Sequence, residues 1–175
     1  MARVTYVEGT DDPDLTGLVD KIRSGRRGSL INVYRLLLNS PPLADSWFEH
    51  LGAVRWKTQL DGRLREIVII RIAYLNDVPY VIRQHVPQLA EAEGVTPEEW
   101  EALKDWENSP LFDARERAAL AFADSMTRDV HVANSVFDVL PDHFDDRRIV
   151  ELAVLIGAYN MHNRVMTALQ IDLEP

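Results

Sequence analysis

Glu66 and His85 stand at nearly equal distances from one turn, and a buried carboxylate facing an imidazole is the chemistry this chain is best equipped to perform. The run from Asp61 to Gly94, DGRLREIVIIRIAYLNDVPYVIRQHVPQLAEAEG, reads as two helices joined at Asn76 and Asp77. Asp61 suits the N-cap of the first, and Leu64 to Leu75 is apolar on nearly every face, the pattern of a fully buried helix. Glu66 lies inside it, ten residues before Asn76, while His85 lies nine residues after Asn76 on a helix that Pro79 can open. At about 1.5 Å of rise per residue both side chains are roughly 13–15 Å from the turn, so an antiparallel hairpin brings them level. A carboxylate there can orient the imidazole and share its proton, as general acid and base catalysis requires. Val78, Val81 and His85 fall at i, i+3 and i+7 and share one face.

These residues resemble the carboxymuconolactone decarboxylase family, in particular its alkyl hydroperoxidase D-like branch. Peroxidase members of that branch carry a glutamate, eleven residues, a cysteine, two residues, a cysteine, three residues and a histidine. With His85 as the histidine, the frame puts Glu66 at the glutamate and Val78 and Val81 at the two cysteines. The words YVIRQHVPQLAEAEGV are similar to the pattern of cysteine-free members, and a looser likeness runs from about Leu43 to the C-terminus. The resemblance implies an all-α, alkyl hydroperoxidase D-like helical domain, a homo-oligomer (trimer or hexamer), and decarboxylase-like, cofactor-free acid/base chemistry on a small lactone or carboxylic acid. His85 would move the proton and Glu66 would orient it. Tyr80, five residues before His85 and on another side of its helix, is a packing aromatic or a further catalytic group. Arg71 and Arg83 would anchor a carboxylate of the small-molecule substrate, with Val78 and Val81 beside it. Peroxide reduction needs a thiolate, which valine cannot supply. The alternative is a relative that has lost its redox cysteines and serves in binding or assembly.

The scaffold must hold that hairpin within 175 residues, enough for one well-buried domain, with residues 1–12 as a polar arm that needs a surface to become ordered. A net charge of −9 disfavours nucleic acid and anionic membranes as partners. No apolar run spans a bilayer and no leader precedes the first helix, so a soluble, cytoplasmic protein is expected. The absence of cysteine excludes disulfides, thiolate metal sites and a thiol redox cycle run by this chain alone. His131, His143 and His162 lack metal-ligand spacing, and no glycine-rich phosphate loop follows a strand, so neither metal nor cofactor is expected. His50, beside Glu49, reads as a surface histidine. Ser24 to Gly28 reads as a loop; an anion site there would require backbone amides at a helix starting at Ser29.

Further helices are predicted from Asp14 to Arg23, Ser29 to Leu38 and Leu43 to Trp56, then after the caps Thr96 and Asp113, around Ser135 to Leu140, and from Asp145 to about Leu169. Val130 to Val132 reads as briefly extended. The last helix repeats the first of the hairpin at an offset of 85 residues, the interval from Glu66 to Glu151: Asp61, Arg63, Ala73 and Tyr74 recur as Asp146, Arg148, Ala158 and Tyr159. This predicts a pseudo-twofold pair of buried central helices within one domain. Val78, Val81 and His85 match Asn163, Met166 and Gln170, so the second copy has no equivalent site. The recurrence of the glutamate also allows a structural role for Glu66, paired with Arg63 or Arg148.

Overall fold

The structure, a computed structural model, describes residues 1–8, 12–26 and 28–174. Residues 9–11 of the expected arm and Arg27 of the expected loop lie outside the described residues. Among the described residues the regular elements are all helical. The chain divides into two compact units, Met1–Ala53 with Val165–Pro175, and Val54–Arg164.

In the first unit, α1 (Thr16–Ser24) follows a 3-10 turn at Pro13–Leu15 that Asp12 caps by accepting from the Asp14 N–H. The second helix, α2 (Asn32–Leu37), starts three residues later than the expected Ser29. Its start is set by residues far away in sequence: the Glu174 carboxylate accepts the Asn32 N–H at 2.9 Å, and the Asn32 amide donates to the Asp172 carbonyl. The chain's own carboxylate thus fills the place that an external anion would have needed. The N-terminal arm finds its ordering surface in the same segment, where Arg3 donates its N–H to Leu169 and Tyr6 exchanges hydrogen bonds with Asp172. α3 (Pro41–Trp56) opens on a proline and exposes His50. A cavity of about 410 Å³ in this unit is lined by Glu8, Arg23, Gly28, Leu30 and Arg35, none of them an expected site residue.

The second unit is built on α4 (Gly62–Leu75), capped by Asp61 and buried at every residue from Leu64 to Ala73. Asp77 closes the turn with φ +51°, and α5 (Pro79–His85) follows. At its end the helix widens into a π-helical turn, Val86–Ala90. Pro87 has no N–H to return to the carbonyl one turn back, so the α-helical ladder breaks immediately after His85. α6 (Pro97–Ala102) and α7 (Ala114–Arg128) each begin with a capping box, Thr96 with Glu99 and Asp113 with Glu116. α7 packs along α4. Beyond its end, the expected extended run is instead a tight reversal, with the β-branched Val130 at φ +64°. α8 (Asn134–Phe137) and a 3-10 turn at Leu140–Asp142 lead to α9 (Asp146–Ala168).

Although α9 repeats the apolar content of α4, it is not buried all round. Val150, Val154 and Met161 are 61%, 43% and 39% exposed, and with Gly157 they form one stripe at helical spacing. The paired glutamates differ accordingly. Glu66 is fully buried, whereas Glu151 is half-buried and accepts from the Gln59 N–H and from Arg147. The expected partners of Glu66 are engaged elsewhere, Arg63 with Glu99 and Glu116, and Arg148 with Asp145.

Candidate active site

The hairpin of α4 and α5 brings Oε2 of Glu66 to 2.6 Å from Nδ1 of His85. An ionised carboxylate can only accept, so Nδ1 carries the proton and Nε2 is left as the basic nitrogen. That nitrogen faces the hydroxyl of Tyr159 on α9 at 3.4 Å, and the two rings meet edge to face with centroids 5.6 Å apart. Tyr159 is itself buried. Glu66, His85 and Tyr159 therefore form a line of groups able to hold and pass a proton, set in an apolar interior.

Behind the carboxylate stand two cations. Oε1 of Glu66 accepts from Nε of Arg65 at 3.2 Å, and Nη2 of Arg55 lies 3.8 Å away. Arg65 also donates to the Arg55 carbonyl and to Glu93, so one guanidinium ties α4 to the end of α3 and to the segment after the π-helical turn. The indole of Trp56 packs against both guanidinium groups, 4.5 Å from that of Arg55 and 4.7 Å from that of Arg65, and is 58% exposed. Burial pushes the Glu66 carboxyl upward, but the charge and hydrogen bond of His85, with Arg55 and Arg65 behind it, outweigh burial and hold it below its ordinary range. Glu66 is thus a fixed negative charge, which stabilises an imidazolium on His85 when that ring takes up a proton.

The other expected site residues are placed differently. Val78 is the N-cap of α5, and Val78, Val81 and Tyr80 are all buried. Arg71 is committed within the core: it makes a two-pronged pair with Asp124 on α7, at 2.7 and 2.5 Å, and donates to the carbonyls of Leu103 and Lys104. Its guanidinium ties α4 to α7 and to the start of the 3-10 segment Leu103–Asn108. Arg83 is exposed on α5. Sequence reasoning did not assign Arg55, Arg65 or Tyr159 to the site. Arg65 adjoins Glu66 in sequence, and neighbours on a helix do not ordinarily face each other. Tyr159 carried a signal only as the match of Tyr74.

The all-α fold is of the alkyl hydroperoxidase D-like type. The AhpD core of an uncharacterized peroxidase-related protein from Ralstonia eutropha JMP134 superposes with a TM-score of 0.84 at 20% identity, covering 99% of this chain and 92% of that one. The debrominase Bmp8, as a cysteine-to-alanine variant in complex with 2,3,4-tribromopyrrole, gives a TM-score of 0.81 at 21% identity, covering 99% and 94%. Residues 41–125 match the carboxymuconolactone decarboxylase family, and this chain, which has no cysteine, is similar to that family over the matched stretch. The uncharacterized protein YnjA of Escherichia coli K12 is 31% identical over 121 residues, a stretch that spans 69% of this chain and 66% of that protein.

Proposed function

We propose that this protein is a cofactor-free enzyme moving a proton on a small lactone or carboxylic acid, the chemistry that the family's name describes for carboxymuconolactone. The observation that carries this reading is the line Glu66, His85, Tyr159, with Glu66 held ionised against the imidazole. In a decarboxylation the bond from carbon to carboxylate breaks, carbon dioxide leaves, and the electron pair stays on the substrate as an enolate. His85, protonated from solvent and balanced by Glu66, then gives its proton to that carbon through Nε2. Val78 and Val81 supply an apolar wall on the same helix, which strengthens the electrostatic coupling of the pair.

The test offers purified protein carboxymuconolactone and measures carbon dioxide release. Turnover that disappears in His85→Gln is the expected result. Equal rates in the two proteins, or none in the wild type, would count against the proposal.

The exposed stripe of Val150, Val154 and Met161 on α9 favours a second element of the proposal, that the chain works in the cytoplasm as a homo-oligomer, trimer or hexamer. An assembly without catalysis remains the alternative role, distinguished by the same turnover measurement.

A further inference from the structure

We infer that Asn163 is the substrate-facing hydrogen-bond donor of the His85 site, its carboxamide holding the oxygen of a small neutral carbonyl compound, a ketone, ester or lactone. The assignment rests on the acid/base reading above and adds to it the group that receives negative charge when His85 removes a proton from carbon.

Asn163 is 0% exposed, yet neither Nδ2 nor Oδ1 has a hydrogen-bond partner among the described residues. A buried polar group without a hydrogen bond destabilises the fold. The other buried asparagines avoid that cost. Asn32 donates to the Asp172 carbonyl and accepts from Arg35, while Asn160 donates to Thr127 and the Ile156 carbonyl and accepts from Asn76 and Arg164. A buried amide left unpaired among the described residues points to a partner from outside the chain.

Its position says where that partner sits. Asn163 lies four residues after Tyr159 on α9, one turn along the same face, with Cβ atoms on the order of 5–6 Å apart. Asn163 thus shares the face of α9 from which Tyr159 presents its hydroxyl to Nε2 of His85. The amide is neutral, and the adjacent cation, Arg164, is turned to Oδ1 of Asn160 at 2.7 Å. A neutral donor suits a carbonyl oxygen that is uncharged in the bound substrate and becomes negative in the reaction. His85 takes the proton from the carbon next to the carbonyl; the C–H electron pair forms the carbon–carbon double bond of an enolate; the carbonyl π pair moves to oxygen, where Nδ2–H of Asn163 donates to it. Return of a proton from His85 reverses the step and exchanges the hydrogen with solvent.

α-Angelica lactone, whose ring methylene next to the carbonyl is acidic, serves as the probe for the full-length protein. Two readouts are taken. One is deuterium entry at that methylene in D₂O; the other is the side-chain amide signal of Asn163, assigned by its loss in Asn163→Leu and followed during titration with the lactone. The expected results are a saturable shift of the amide signal and catalysed exchange that falls roughly 100-fold in Asn163→Leu and Asn163→Ala, as for loss of one oxyanion donor. Asn163→Leu should melt no lower than wild type; Asn163→Ala keeps the test open should the leucine disturb folding. Exchange in both variants within about twofold of wild type, or an amide signal that ignores the lactone because an ordered water alone satisfies it, overturns the assignment. Exchange that His85→Gln abolishes and Asn163→Leu keeps would reject Asn163 while retaining the acid/base reading. A saturable amide shift without exchange in the wild type would do the reverse.

Discussion

His85 is the last residue of α5 before the helix widens, and its Nδ1 is held 2.6 Å from Oε2 of a Glu66 side chain that is wholly buried. The bond spans 19 residues of sequence across the turn at Asn76 and Asp77. Where the backbone ladder is broken by Pro87, a side-chain bond fixes the ring instead. The imidazole therefore has one nitrogen committed to orientation and the other turned to Tyr159, as a proton-transfer group needs.

Replacing His85 by glutamine should remove turnover and also lower stability by about 1–3 kcal/mol, because Glu66 loses its shortest partner while staying buried. Urea denaturation of the variant, alongside the carbon dioxide assay, separates the two effects.

Glu66 gives a pH dependence with a definite sign. Its folded pKa lies below the ordinary value of 4.5, so the pairing stabilises the fold fully above that value and the stabilisation is lost as pH falls through the folded pKa. The stability difference between wild type and Glu66→Gln should be largest at neutral pH and shrink below about pH 4.5. Denaturation at several pH values checks this, and a difference that grows on acidification would contradict it.

Arg71 and Asp124 are a buried pair with side chains only 6% and 10% exposed. Asp124→Asn or Arg71→Met alone should cost about 3–5 kcal/mol, since each strands a buried charge, whereas removing both charges with apolar replacements should cost less. A double-mutant cycle by thermal or urea denaturation measures the coupling.

Organic hydroperoxide with a dithiol donor should not be consumed above the protein-free rate. The chain has no cysteine, and valine stands at positions 78 and 81, where the resemblance would place the branch's thiols. Activity persisting through repurification would require another reductant-coupled group.

Val154→Lys should dissociate the assembly. A lysine in the exposed stripe of α9 leaves a monomer folded but places a charge where apolar faces are proposed to meet. Light scattering on both proteins decides it, and a wild-type monomer at micromolar concentration would end the proposal.

What could be read from sequence was mostly local. The caps at Asp61, Thr96 and Asp113 depend on residues three apart, and the distances of Glu66 and His85 from one turn depend only on helical rise. What escaped was set by distant chain. The start of α2 is fixed by Glu174, the partner of Arg71 is on another helix, and Tyr159 reaches His85 across 74 residues. The stripe on α9 escaped for another reason: composition reports how apolar a helix is, but burial depends on which faces other elements cover. The three asparagine side chains at 32, 160 and 163 look alike in sequence, and only packing shows that one of them is left without a partner.

Trp56 gives the hidden pair a visible end. Its half-exposed indole packs against the guanidinium groups of Arg55 and Arg65, both of which lean on Glu66. Protonating Glu66, or drawing its charge toward a bound molecule, shifts those cations against the indole face. Emission from this one fluorophore, isolated by changing Trp47, Trp100 and Trp106 to phenylalanine, then reports the electrical state of a buried carboxylate, and libraries of colourless compounds can be screened by light alone.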